Sequence, residues 1–133
     1  MLNRIVIMGR LTKDVELRRT TSGTAVANFT LACERDFSKE KETDFIECTA
    51  WGKTGEFAEK YFSKGKMAIV SGRLQIRRWE DKNGNKRSTS EVVAENIYFG
   101  EAKTSGNKFD SAVHGELEHD YAAMYGDDED FPF

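Results

Sequence analysis

Residues 44–51 read DFIECTAW, and the alternation along them constrains the fold more than any other feature of the chain. Successive side chains of a β-strand point to opposite faces. Ile46, Cys48 and Ala50 are therefore expected to fill an interior, while Phe45 and Trp51 stand with Glu47 and Thr49 on the other face. Large rings beside charge on an outer face call for a covering partner. Two kinds fit: a second subunit, or a row of stacked bases.

The flanking segments repeat the strand pattern. Residues 2–11 place Ile5, Ile7, Gly9 and Leu11 on one parity, with Gly9 marking a bend or bulge, and residues 15–20 continue the same strand past a kink. Residues 24–33 gather Ala25, Ala27, Phe29, Leu31 and Cys33 on an apolar face. The charged stretch 34–43 is a long hairpin loop whose Phe37 is either exposed or folded back onto the body. Residues 54–64 form the one helix, capped by Thr54, with a core stripe of Phe57, Ala58, Tyr61 and Phe62 and a stop at Gly65.

Residues 66–79 and 86–99 are long strands joined through an Asn83-Gly84 turn. In the first of them Ala68, Val70, Gly72, Leu74 and Ile76 share the inward parity, and Arg73, Gln75, Arg77 and Trp79 the outward one. Arg78 has the opposite parity, and strand twist brings it within reach of the outward row. Five strands with a helix between the third and fourth is the order of an OB-fold, an all-β, five-stranded Greek-key barrel. It occupies residues 1–100, and 101–133 is expected to be a disordered acidic tail.

Charge supports that division. Residues 1–100 carry 18 Lys and Arg against 14 Asp and Glu, a net +4; residues 101–133 carry 2 against 9, a net −7. A basic body suits a polyanion, and an acidic tail suits a basic partner. No apolar run approaches the roughly 20 residues of a membrane span, and Arg4 stands where a signal peptide would be apolar, which points to a cytoplasmic protein. Cys33 and Cys48 are expected to be buried thiols rather than metal ligands, because His114 and His119 lie far from them. The chain offers no paired nucleophile and base, no metal cluster and no phosphate-cradling glycine loop, so neither catalysis nor a cofactor is expected.

Phe45, Trp51 and Trp79, with Phe37 on its loop and Lys53, Arg73, Arg77 and Arg78 interleaved, make a set suited to single-stranded nucleic acid. Unpaired bases expose faces on which rings stack, while cations follow the phosphates. Duplex DNA hides those faces. The last residues, GDDEDFPF, put four carboxylates before Phe131, Pro132 and Phe133, a combination that an apolar pocket ringed with Lys or Arg would hold.

These residues carry a resemblance. LNRIVIMGRLTKDVELR, AVANFTLA, DFIECTAWGK, YFSKG, SGRLQIRRWED with its NG turn and TSEVVAE, and the DDEDFPF ending resemble the bacterial and phage single-stranded DNA-binding proteins that coat DNA during replication, recombination and repair. The resemblance implies base stacking on Phe37, Phe45, Trp51 and Trp79 and phosphate contacts from Lys53, Arg77 and Arg78. It also implies recruitment of genome-maintenance proteins through Asp127, Asp128, Glu129, Asp130, Phe131, Pro132 and Phe133. A homotetramer, able to wrap one strand over several grooves, is implied by the resemblance alone. The chain departs from the family pattern in Val15 for proline, Glu47 for a basic residue and Phe131 for an aliphatic one, and in a short tail lacking a Gly, Pro and Gln-rich linker.

Overall fold

The computed structural model describes residues 1–37 and 39–101. The expected acidic tail and Asp127 to Phe133 lie outside the described residues. Along the chain run β1 (Ile5–Leu11), β2 (Glu16–Arg19), β3 (Ala25–Glu34), β4 (Thr43–Trp51), α1 (Gly52–Tyr61), β5 (Met67–Glu80) and β6 (Lys86–Phe99). They form one sheet in the order β1-β5-β6-β4-β3-β2, which closes because β1 also pairs with β3, Arg10 opposite Ala32 and Leu11 opposite Leu31. The β4–β6 pairing is parallel and the others are antiparallel. With β1 and β2 as two halves of one strand, this is the OB-fold barrel.

The first strand divides where residues 12–15 leave the ladder and the Asp14 carboxylate accepts the Lys64 backbone N–H at 2.9 Å. Gly9 is not the bend that its sequence position suggests. It lies within β1, and a Cβ there would fall 2.6 Å from the Ala32 carbonyl oxygen, so its role is close approach at the barrel seam.

Val26, Leu31, Cys48, Val70, Val92 and Ile97 are fully buried and define the interior. Helix α1 closes one end of it. Phe57, Ala58, Tyr61 and Phe62 are buried as their spacing predicts, and Phe62 stacks on Phe99 with ring centroids 4.7 Å apart. The helix begins earlier than its sequence suggests, at Gly52, with Trp51 at the cap position and no side-chain cap bond. Thr54 is already inside it, and its hydroxyl points to the Glu95 carbonyl instead.

The inward parity of β5 holds for Ala68, Val70 and Gly72 and then fails, since Leu74 and Ile76 are 43% and 48% exposed. The cause is topological: β1 ends with Ile5 opposite Gly72, so the outer half of β5 runs beyond the layer that covers its inner half. The Asn3 side chain extends the ladder by one step, donating to the Leu74 carbonyl at 2.8 Å and accepting its N–H at 3.0 Å. On β6, Ser71 faces Asn96 but Gly72 faces Ala94, which leaves Glu95 as the extra residue of a bulge. That shift lets Val92, Ala94 and Ile97 all turn inward.

Candidate nucleic-acid interface

Strands β3, β4, β6 and β5 are neighbours, so their outward residues share one continuous face. On β4 that face carries Phe45 opposite Ala32 and Trp51 opposite Val26, 68% and 49% exposed. The strand between them holds the two rings roughly 20 Å apart. Thr49, expected on the same exposed face, is instead buried, because its hydroxyl lies 3.2 Å from both Asn28 Oδ1 and Glu91 Oε2. With one proton to give, it serves one acceptor at a time. Glu91 also accepts from Gln75 Nε2 at 3.1 Å, so the middle of the face is a hydrogen-bonded strip tying β3, β4, β5 and β6 together.

A cavity of about 250 Å³ lies over this strip. Lys13, Arg18 and Arg77 line it together with Glu47 and Glu91. Lys13 and Arg18 went unmarked in the sequence because β2 is short and its register unknown until Arg18 is seen opposite Val26, one strand away from Trp51. Lys13 pairs with Glu16 at 3.3 Å, which leaves Arg18 and Arg77 as the cations of this cavity better placed to meet an anion.

The β5–β6 hairpin carries the second half of the site. Arg77 faces Thr89, Arg78 faces Ser88 and Trp79 faces Arg87. Arg78, Trp79, Lys86 and Arg87 line a cavity of about 520 Å³ at its outer end, so Arg78 joins Trp79 despite its opposite parity. Lys86 and Arg87 are cations that the sequence pattern did not single out. The hairpin tip is built by Asp81, whose carboxylate accepts the N–H groups of Asn83 and Asn85, both at 2.9 Å, and pairs with Arg87 at 3.1 Å. The Asn85 N–H above all, then Arg87 and the Asn83 N–H, hold the Asp81 carboxyl below the usual carboxylate range. Gly84 takes φ 78°, the left-handed position that a short hairpin loop of this kind requires.

Phe37 sits apart from the sheet, wholly exposed in the β3–β4 loop with φ 63°. Of the two positions open to it, the structure takes the exposed one. Arg73 faces Val93 and is exposed, but it lines neither cavity. Lys53 lies in the first turn of α1, two residues after Trp51. The structure thus gathers Phe45, Trp51, Arg77, Arg78 and Trp79 on the sheet and hairpin, and leaves Phe37, Lys53 and Arg73 at its margins.

The thiols divide. Cys48 is buried, and burial first, with Cys33 and Glu47 adding to it, pushes its pKa up to about 12. Cys33, expected to be buried, is only partly so, because it lies near the end of β3 opposite Asp44. Among the described residues no group of three or more His, Cys, Asp or Glu is placed to hold a metal, and no helix is long and apolar enough to cross a membrane.

Comparison with known proteins gives the family. Residues 2–100 match the family described as "Single-strand binding protein family". The chain is 50% identical over 102 residues to "Single-stranded DNA-binding protein 2" of Listeria innocua, covering 74% of this chain and 64% of that one. To "Single-stranded DNA-binding protein A" of Bacillus subtilis it is 49% identical over 109 residues, covering 80% and 63%. To the "Single-stranded DNA-binding protein" of Clostridium tetani it is 43% identical over 134 residues, covering 96% of this chain and 92% of the relative. The matched region thus spans a little under two thirds of the first two relatives and nearly all of the third.

Proposed function

The chain belongs to the single-strand binding protein family, and from that premise we propose that it coats single-stranded DNA with little sequence preference and without catalysis. The observation that carries this reading is the half-exposed state of Phe45, Trp51 and Trp79 on one sheet and its hairpin, beside Arg18, Arg77 and Arg78. Rings held by their edges or backbones, with free faces, can stack on any base, and guanidinium groups between them can follow the phosphates. Stacking by Phe45, Trp51 and Trp79, with Phe37 and Lys53 completing the path and Arg73 flanking it, is the assignment we favour. The names of the relatives point the same way.

The protein acts during replication, recombination and repair in the cytoplasm, associated with the nucleoid. Residues 1–100 are the binding domain, and residues 101–133, with 9 Asp and Glu against 2 Lys and Arg, are an acidic extension of it in sequence. Asp127 to Phe133 recruits genome-maintenance proteins: its carboxylates meet basic groups, and Phe131 and Phe133 enter an apolar pocket. A homotetramer is supported by an apolar row crossing the outer face of β1, β5 and β6. There Met8, Ile69 and Tyr98 stand in register beside the exposed Val6, a face that a second copy would cover.

Fluorescence anisotropy with labelled single-stranded DNA, duplex DNA and single-stranded RNA of equal length tests the proposal. Single-stranded DNA is expected to bind far more tightly than the duplex. Equal affinity for both would overturn it.

A further inference from the structure

The loop that carries Phe37 is held at its base by one arginine. Arg35 Nε and Nη2 donate to Asp44 Oδ2 and Oδ1, each at 2.9 Å, a two-pronged fit of guanidinium to carboxylate. Its Nη1 donates to Glu42 at 2.5 Å, and its backbone N–H donates to the Glu42 carbonyl at 3.0 Å. The guanidinium is thus engaged by the protein's own carboxylates. It stands two residues before Phe37, and Asp44 stands one before Phe45. The clamp therefore ties the stem of one ring's loop to the strand position next to the other ring.

Phe37 needs such support. Its φ of 63° lies in the left-handed region, which a bulky side chain rarely adopts and which persists only where the surroundings over-determine it. A ring on a loose loop would also have to be ordered at the moment of binding, which lowers affinity.

Building on the single-stranded DNA reading, we propose that Arg35, gripping Glu42 and Asp44, is a positioning device that presets the Phe37 ring for base stacking. One guanidinium against two carboxylates leaves a net negative charge at the loop base, which by itself repels DNA.

That charge makes the test one of sign. Asp44→Asn removes a negative charge, so electrostatics alone would tighten binding to an oligothymidylate. Loss of the clamp should instead weaken it, by about threefold to tenfold. Arg35→Lys, which keeps the charge but not the fork, should weaken it similarly and leave the salt dependence unchanged. In a Phe37→Ala background, neither change should weaken binding further. Tighter or unchanged binding by Asp44→Asn, or a loss that persists without the Phe37 ring, would overturn the clamp. Failure of the parent protein to bind the oligonucleotide would overturn the DNA reading itself, and the clamp with it.

Discussion

The Trp79 indole N–H donates to the Thr89 hydroxyl across the β5–β6 hairpin at 3.2 Å. The ring is fixed by its edge and remains 46% exposed. This is how a tryptophan can be rigid without being part of the core. Trp79→Ala should cost about 1–3 kcal/mol of single-stranded DNA affinity, the range general to base–aromatic stacking in such proteins. Thr89→Val, which removes only the tether, should cost about 1 kcal/mol or less. Isothermal titration of the two variants separates them.

Trp51→Ala should show a similar loss of affinity with the fold retained. Trp51 occupies the cap position of α1 without a side-chain cap bond and is about half exposed, so neither helix nor core depends on its ring. Circular dichroism and a thermal melt check this; an unfolded variant would place the ring in the core.

Arg77→Ala should act on the salt dependence rather than on stacking. Taking away one cation that pairs with a phosphate of a single strand lowers the slope of log affinity against log salt by about 0.7. Affinities measured at several salt concentrations give that slope directly.

Gly72 tests the barrel's construction. A Cβ there would stand 1.9 Å from the Val93 carbonyl oxygen, a backbone atom that cannot move aside without disturbing the ladder. Gly72→Ala should destabilise the domain by about 3 kcal/mol or more, read from urea denaturation.

Two pH limits follow from titrating groups. Asp81 is held below the ordinary carboxyl value, so its contribution is complete above about pH 4 and is lost as pH falls through its lower folded value. Cys48 is shifted the other way. Its folded pKa of about 12 exceeds the ordinary thiol value, so stability is unaffected at neutral pH and declines as alkali ionises the unfolded chain first. A thiol reagent at mildly alkaline pH should label Cys33 well before Cys48.

Under the role proposed for them, removing residues 127–133 should abolish recruitment of partner proteins, and because it takes four carboxylates from a chain that binds a polyanion it should modestly tighten DNA binding at low salt. Pull-downs and titrations with the truncated protein read both. Unchanged recruitment would refute the role of the segment.

Much of this was legible in the chain because local period and barrel geometry agree. The β4 alternation placed Phe45 and Trp51 outward and Cys48 and Ala50 inward, and the α1 stripe placed Phe57, Ala58, Tyr61 and Phe62 in the core. What was hidden depends on partners distant in sequence. Leu74 and Ile76 read as interior, but β1 stops short of them. Thr49 reads as exposed, but Asn28 and Glu91 close over it. Arg18 shows its place only once β2 is registered against β3. A bulge at Glu95 resets parity in a way no fixed period anticipates.

The central claim is that aromatic rings stand open along a cationic face and stack on unpaired bases. Titrating the intrinsic fluorescence of Trp51 and Trp79 with oligothymidylate tests it most directly. Strong, saturable quenching, seen both in Trp51→Phe protein, where Trp79 alone reports, and in Trp79→Phe protein, where Trp51 alone reports, and absent with duplex DNA, is the expected result. Tight binding with no change in tryptophan emission would contradict the account.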